Sequence, residues 1–491
     1  MTFSGPFSRR VCINPLMDTD SYKISHHDLY PDDVTNVYSY AESRGGDYPG
    51  AVFFGLQPWL KRLCDTPLTM DMVNDWEAFA HAHGFPAPPA SAARRIVDVH
   101  GGFMPLEIRT LDEGLWTPTR TPLVTVVNTD GELEADLSSK FLTSYVETSL
   151  LRQTWMGTTI ATRIFGIREK VQRQFEETAD DLSGLPFAVL DFASRGVFGL
   201  DADEVGGAAY LAMGFMGSDS PMSVAYANHY YPTEMAGYSV IATEHSVTTA
   251  WGRARQKEQF LQALRRTAAK YPNGGGILSN VSDTYDVFAM ARLYVECREE
   301  IMNSGVTLVV RPDSGEMEDV LPEIFRIIAN GFGTTKNSKG YDVINGAKVL
   351  QGDGINEVSV EYPFQIGRRM GLSAQSIMTG SGGGLRTNAL NRDTLKFAFK
   401  ASAVKDANGW RGVAKDPITD PGKRSKAGRM AVRQNEFGHY LTDLFTGDEA
   451  PPTDNTNLLK LRYRNGSLYN MDSLQDIRNR VGDQIAARIR A

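Results

Sequence analysis

Cysteine is scarce. Three stand in 491 residues, Cys12, Cys64 and Cys297, far apart and without CxxC spacing, which excludes a disulfide framework and a cysteine-based zinc site. A reducing compartment, the cytoplasm, is expected. Long apolar runs are also missing: no stretch approaches the roughly 18 residues that span a bilayer, and the opening MTFSGPFSRRVCINPL lacks the apolar core of a secretory signal. Positive charge is not in excess either. The formal net charge is -8, so no global field draws the chain to nucleic acid or an anionic membrane. The eight histidines show no ligand spacing, and neither GxxxxGKS nor GxxxxGKT occurs, which removes the usual zinc and nucleotide-loop readings.

What is present begins with size. At 42% hydrophobic over 491 residues, the chain can bury more than one core. Residues 1–155 mix short strand-like runs (TNVYSYAESR, GAVFFGL, LEIRTLDEG, LWTPTRTPLVTVVNT) with turns, and read as an α+β domain in which FPAPPASAA is a loop. Helical spacing takes over in DLSSKFLTSYVETSLLRQ and ATRIFGIREKVQRQFEE. Residues 395–491 read as hairpin strands and turns that return to the first domain.

Between them, residues 156–394 repeat one grammar. A short apolar run ends in polar or glycine residues and a helix-like segment follows: PFAVLDFASRG, MGFMGSDS, SVIATEHS, GILSNVSDTYD, VTLVVRPDSGE, AKVLQGDG and SIMTGSGGG. Seven such units predict parallel strands closing into an irregular β/α barrel, an α/β fold whose site lies in the loops after the strands. Helix capping explains any one polar cluster; seven in register favour a site.

The clusters suggest phosphate chemistry. Asp219, Asp283, Asp313 and Asp353 end strands, joined by Glu244, and oxygen donors at one mouth suit Mg2+ shared with substrate phosphates. Arg195 and Arg311 offer planar forks for phosphate or amide oxygens. The loop GSGGGL, residues 380–385, frees backbone N–H groups to approach an anion, above all if a helix begins after it. Phe192 offers a ring face to a flat substrate or packs as a core phenylalanine; the residues alone leave both open. The basic residues Lys400, Lys415, Lys423, Arg424, Lys426 and Arg429 make either a solvated loop or a phosphate patch. His245, in GYSVIATEHSVTTAW, is a packed histidine if judged by its neighbours and a reactive one if judged by its place at a strand end.

Nine segments in order, MDTDSYKISHHDLYP, DFASRGVFG, GSDS, GYSVIATEHS, VSDTYD, RPDSG, LQGDG, GSGGGL and DPITDPGKRSKAGR, resemble the nicotinamide phosphoribosyltransferases of the nicotinate/nicotinamide phosphoribosyltransferase family, over nearly the whole chain. The resemblance implies a type II phosphoribosyltransferase with a barrel and a second domain formed by both chain ends. It implies a homodimer with shared active sites, and transfer from phosphoribosyl pyrophosphate to nicotinamide, with Mg2+. It also implies ATP hydrolysis through a phosphorylated histidine, which here is His245; Asp283 and Glu244 both remain open as its orienting acid. Phe192 and the partner's Tyr22 would stack on nicotinamide, and Asp219 and Arg311 would hold its amide. Asp283 and Asp313 match acids near ribose and Mg2+, Arg195 an arginine near pyrophosphate, and Gly352 with Asp353 the loop beside the ribose. Gly382 and Gly383 would take the 5'-phosphate with Arg392, Lys400 and Lys423 from the partner chain, Lys415 lying in the same segment. Ala193 and Ser194 stand where animal enzymes carry Gly and Tyr, and one extra residue precedes Arg392. Two rivals stay beside this reading: a nicotinate-specific enzyme, and a sugar-phosphate isomerase or aldolase, which would need a lysine or general base at a strand end. A non-enzymatic binding protein is the third.

Overall fold

A computed structural model describes residues 14–131 and 137–490; Cys12 lies outside them. The chain forms two compact units. One holds the chain up to Thr162 with Asn228–Glu234 and Ala389–Val481, the other Arg163–Ala227, Met235–Asn388 and the end of the chain from Gly482. Neither the short excursion at 228–234 nor the transfer of the last residues is contained in the sequence reading.

The first unit is built on a seven-stranded antiparallel sheet. Its strands run, edge to edge, Gly409–Gly412, Phe397–Asp406, Asn36–Ser43, Pro122–Asn128, Leu106–Thr110, Lys460–Arg464 and Ser467–Leu468. The centre thus comes from the N-terminal part and both flanks from the C-terminal part, because Phe397–Asp406 pairs with Asn36–Ser43 and Lys460–Arg464 pairs with Leu106–Thr110. Asn36–Ser43 is buried at every position, as a central strand with both faces covered should be. The second domain of both chain ends is therefore present. Two details differ from expectation. FPAPPASAA is only half loop: a helix, Ala90–His100, starts directly after Pro89, since proline is tolerated at a helix start and alanine has high helix propensity. The C-terminal segment forms the expected hairpins and then ends in a helix, Leu474–Arg490, that the sequence reading does not contain, with Leu474, Ile477, Val481 and Ile485 fully buried along one stripe.

The second unit carries seven parallel strands: β1 (Val189–Asp191), β2 (Gly217–Ser218), β3 (Ile241–Ala242), β4 (Gly276–Val281), β5 (Val306–Arg311), β6 (Ala347–Gln351) and β7 (Ile377–Ser381). Each falls within one of the seven apolar runs of the sequence. Their hydrogen-bonded order is β2-β1-β7-β6-β5-β4-β3, which is chain order read round a ring. A parallel bridge between Gly217 and Tyr238 joins β2 to the chain entering β3. The ring closes there through a bridge instead of a ladder, and the result is the expected irregular β/α barrel. Helices Leu200–Ala212, Pro221–Tyr230, Gln256–Lys270, Val287–Glu296, Met317–Phe332 and Tyr362–Arg369 follow the first six strands. Starts and stops are local. Asp286 accepts hydrogen bonds from the Phe288 and Ala289 amides and so caps Val287–Glu296. Among the described residues no helix is long and apolar enough to cross a membrane.

Candidate active site

Seven contacts, one between each pair of neighbouring loops, run round the carboxyl ends of the strands. The Phe192 amide donates to the Ser381 carbonyl (2.8 Å), joining the loops after β1 and β7, and the Asp219 amide donates to the Asp191 carbonyl (3.0 Å), joining β2 to β1. Ser239 Oγ, ahead of β3, donates to Asp219 Oδ1 at 2.6 Å. His245 Nε2, after β3, meets Asp283 Oδ1, after β4, at 3.0 Å. Asp283 Oδ2 accepts from Ser314 Oγ, after β5, at 2.6 Å. The Gly352 amide reaches the Pro312 carbonyl at 3.4 Å, and Ser381 Oγ donates to the Ile355 carbonyl at 2.5 Å, linking β7 back to the loop after β6. The mouth is thus a continuous polar ring in which each loop is held by its neighbours.

His245 opens the short helix His245–Trp251. Its side chain is 47% exposed while Asp283 is 7% exposed, so an accessible imidazole leans on a buried acid. In the tautomer with Nε2 donating to Asp283, Nδ1 keeps its lone pair. Asp283, not Glu244, is the acid that meets the ring. Glu244 instead accepts from the Ser246 hydroxyl.

Arg311 lies at the end of β5 with Nη2 donating to the Thr243 carbonyl at 3.1 Å. Its Nε is buried and has no partner among the described residues, a donor that an incoming ligand oxygen would satisfy. Two glycines are required by close approach. A Cβ on Gly380 would lie 2.1 Å from the Phe192 ring, and one on Gly352 would lie 2.6 Å from Asp313 Oδ1. Phe192 is therefore packed against β7, half-buried, with a ring edge against Gly380. Arg195, Asp219, Asp353 and Gly382 are exposed, and Gly383 is partly so. GSGGGL is followed by a three-residue 3-10 turn, Gly383–Leu385, and no α-helix. The expectation of a helix terminus behind that loop is corrected: loop amides alone are available there to an anion.

The remaining sequence-predicted residues belong to the first unit. Tyr22 is 60% exposed in the turn Ser21–Ser25. Arg392 and Lys423 are exposed and pair with Asp393 (3.7 Å) and Asp420 (3.0 Å). Lys415 is exposed, in a loop closed by mutual bonds between its backbone and Ser425. Lys400 is partly buried. Burial lowers its pKa first; Glu147 opposes that, and the positive charges of Arg44, Lys415 and Lys23 lower it further. Such crowding of cations favours a bound anion.

The residues that the sequence reading missed lie underneath. Arg386, directly after GSGGGL, is 1% exposed and pairs with Asp191 at the end of β1 and with Asp203 Oδ1 at 2.6 Å on helix Leu200–Ala212. Asp203 also accepts from Ser194 Oγ (2.8 Å), Ser220 Oγ (2.8 Å) and Ser223 Oγ (3.2 Å). Burial would raise the Asp203 pKa, but the bonds from Ser220 and Ser194 and the Arg386 guanidinium outweigh it and hold the pKa below the ordinary value. The available signal was compositional: Asp203 and Glu204 are acids near the start of a run of eleven consecutive buried positions whose other members are small, apolar or aromatic.

A closed β/α ring with carboxylates, arginines, a glycine loop and an acid-held histidine at the strand ends defines a barrel enzyme that handles small phosphate-bearing substrates. Comparison with known proteins gives the particular family. A model of the nicotinate phosphoribosyltransferase (NAPRTase) family matches residues 187–454, and one of the nicotinamide phosphoribosyltransferase N-terminal domain matches residues 14–108. A nicotinamide phosphoribosyltransferase of Xanthomonas campestris pv. campestris is 39% identical over 469 residues, 95% of this chain and 97% of that protein. Two crystal structures share the fold: nicotinate-nucleotide pyrophosphorylase from Pyrococcus furiosus, with TM-score 0.60, 15% identity and 99% of each chain covered, and human nicotinic acid phosphoribosyltransferase, with TM-score 0.56, 16% identity and 95% and 93% covered. The chain belongs to the nicotinate/nicotinamide phosphoribosyltransferase family and is a phosphoribosyltransferase of NAD biosynthesis.

Proposed function

We propose that the base is nicotinamide, that the products are nicotinamide mononucleotide and pyrophosphate, and that ATP hydrolysis through His245 drives the reaction. The observation that carries the reading is the exposed His245 imidazole held at 3.0 Å by Asp283. The ring nitrogen of nicotinamide attacks C1 of the ribose; the C1–O bond breaks and its electron pair leaves with pyrophosphate. The protein's task is orientation and charge stabilisation. Phe192, seated on Gly380, presents a ring for stacking. Asp219 uses Oδ1 for Ser239 and keeps its other oxygen for the amide NH2, where nicotinate would bring a repelling carboxylate. Arg311 Nε supplies an unsatisfied donor, and the exposed Arg195, in the loop after β1, is assigned to pyrophosphate.

Mg2+ fits the donor set. Mg2+ takes oxygen donors, commonly one or two carboxylates, and completes its shell with water and phosphate oxygens. Asp313 is the better holder, because a Gly352 without Cβ leaves its Oδ1 room, whereas both Asp283 oxygens are engaged. When bound, Mg2+ supplies neutralisation of charge on the departing pyrophosphate.

In the ATP half-reaction His245 Nδ1 attacks the γ-phosphorus, an N–P bond forms, the bond to ADP breaks with its electron pair leaving on the ADP oxygen, and the proton stays on Nε2, hydrogen-bonded to Asp283. Lys400, Lys415, Lys423, Arg392 and Tyr22 are read as the contribution of a second copy, in a homodimer with shared sites. Apolar side chains exposed around the strand ends, Phe198, Leu200, Tyr238, Val240 and Val247, are the kind of surface that an interface covers.

The test is incubation with phosphoribosyl pyrophosphate, Mg2+ and either base, with and without ATP. Faster nucleotide formation from nicotinamide, raised by ATP, is expected. A clear preference for nicotinate would sink the role of Asp219. For the shared site, mixing His245→Ala with Lys423→Ala chains should restore part of the ATP-driven rate that each lacks alone.

A further inference from the structure

We propose that Arg386 is a positioning residue that sets the geometry of three site loops at once through Asp191 and Asp203. The proposal rests on the reading of those loops as substrate contacts. One guanidinium bridges two acids, and each acid organises loop backbone or loop hydroxyls. Asp191 accepts from the Ala193 amide (3.1 Å) and from Ser218 Oγ (3.1 Å). It therefore holds the residues on either side of Phe192 and the end of β2. Asp203 holds Ser194, next to Arg195, and Ser220, next to Asp219. Arg386 itself ends the glycine loop that contains Gly382 and Gly383. The ring partner Phe192, the amide acceptor Asp219, the arginine Arg195 and the phosphate loop thus share one buried anchor.

Stability is a weak reason for such a cluster. Burying an arginine with two carboxylates costs desolvation that well-packed apolar residues of similar size would avoid. What an apolar patch cannot supply is direction. A planar fork with fixed donor angles admits one arrangement of its two acids, and these acids pass that arrangement to three chain segments. Close packing restricts it further: a Cβ on Gly207 would fall 1.9 Å from Ser223 Oγ and 2.7 Å from Arg386 Nη2, so the helix beneath has no slack. None of the four hub side chains Arg386, Asp191, Asp203 and Ser220 is more than 6% exposed, so none of them offers itself to substrate directly.

The experiment is hydrogen exchange by mass spectrometry on the full-length Arg386→Met chain, beside steady-state kinetics. Exchange should quicken about tenfold in peptides covering 192–196, 218–223 and 382–387 and stay unchanged in those covering 244–251 and 313–315. The KM for base and for phosphoribosyl pyrophosphate should both rise about tenfold while kcat falls no more than about threefold. Arg386→Lys, which can reach one acid but not fork between two, should recover part of the KM loss and not all of it. Full recovery by lysine would show that charge alone matters and would overturn the proposal, as would uniform acceleration of exchange or none. Selective exchange with unchanged KM values would keep Arg386 as the anchor of three loops and overturn the reading of those loops as substrate contacts. Should the methionine variant fail to fold, Ser194→Ala with Ser220→Ala leaves the ion pairs intact and should quicken exchange about threefold in the first two segments only; no change there would likewise overturn the proposal.

Discussion

Two acid-centred clusters stand on opposite arcs of the same barrel mouth, and they are built oppositely. Around Asp203 and Asp191 the arginine and the serines Ser220 and Ser223 are buried, Ser194 being the exposed member of the set, and both terminal guanidinium nitrogens of the fork are used. Around Asp283 the acid is buried but its partners, His245 and Ser314, are exposed and few. The first arrangement cannot change partners without leaving charge unpaired in the interior. The second can, because water and substrate reach the imidazole. The contrast separates holding from reacting within one ring of loops, and the predictions below test that separation.

The largest effect should come from Asp203→Ala. It removes the acceptor of three serines and one of the two partners of a buried arginine, which should cost about 3–5 kcal/mol; urea unfolding of variant and parent chains measures it. A loss below about 1 kcal/mol would mean that the hub is no tighter than a surface network and would erase the contrast.

Next is Gly380→Val. The added Cβ would collide with the Phe192 ring at 2.1 Å, so the ring must leave its seat. A destabilisation of about 1–3 kcal/mol is expected from overpacking, with a KM for base raised roughly tenfold. An unaltered KM would show that the ring does not touch the base.

Smaller is a pH effect. The folded-state pKa of Asp203 lies below its ordinary value, so it contributes stability that is present above the unfolded pKa of about 4 and is lost as pH falls through the folded value. Parent chain should therefore lose more stability between about pH 5 and pH 3 than Asp203→Asn, whose acid limb should be flatter. Parallel limbs would remove Asp203 as the titrating group.

How much of this can be read from the chain differs between the two clusters for a physical reason. All seven strands are marked by short apolar runs, six of them largely buried as parallel barrel strands covered on both faces are, and His245, Asp283, Asp313 and Arg311 stand at the polar ends of those runs. The hub leaves no such trace. Asp203 sits in the first turn of a helix, where an acid is ordinary, Arg386 follows a glycine loop that already explains itself, and Asp191 is one acid before a more conspicuous phenylalanine. Their connection exists only once β1, β2 and β7 are brought together, and no spacing encodes that. The C-terminal helix is a different kind of miss. Its stripe of Leu474, Ile477, Val481 and Ile485 has spacings of three and four in plain sight, and the hairpin reading of residues 395–491 passed over it. The choice of Asp283 over Glu244 also needed coordinates, because the nearer acid in sequence turns to Ser246.

The smallest stability effect should be that of His245→Ala, and it is the one that decides whether the second cluster is reactive. The imidazole is nearly half exposed and its one side-chain bond is to Asp283, so its loss should change stability by no more than about 0.5 kcal/mol. Asp283 retains Ser314 and access to water, so no buried charge is stranded as it would be beside Arg386. Against that small change the functional loss should be complete: no acid-labile phosphate on the chain after incubation with ATP, and no gain in nucleotide yield when ATP is added. Asp283→Asn is the sharper companion. The amide can still bond to the ring but cannot balance the positive charge that builds on it as Nδ1 takes phosphorus, so phosphorylation should slow by about 100-fold or more, of the order that general acid–base partners supply. Rapid-quench labelling with ATP measures that rate. Unslowed labelling in Asp283→Asn would reduce the buried acid to a hinge for the ring, and an equally large stability loss in His245→Ala would make both clusters of one kind.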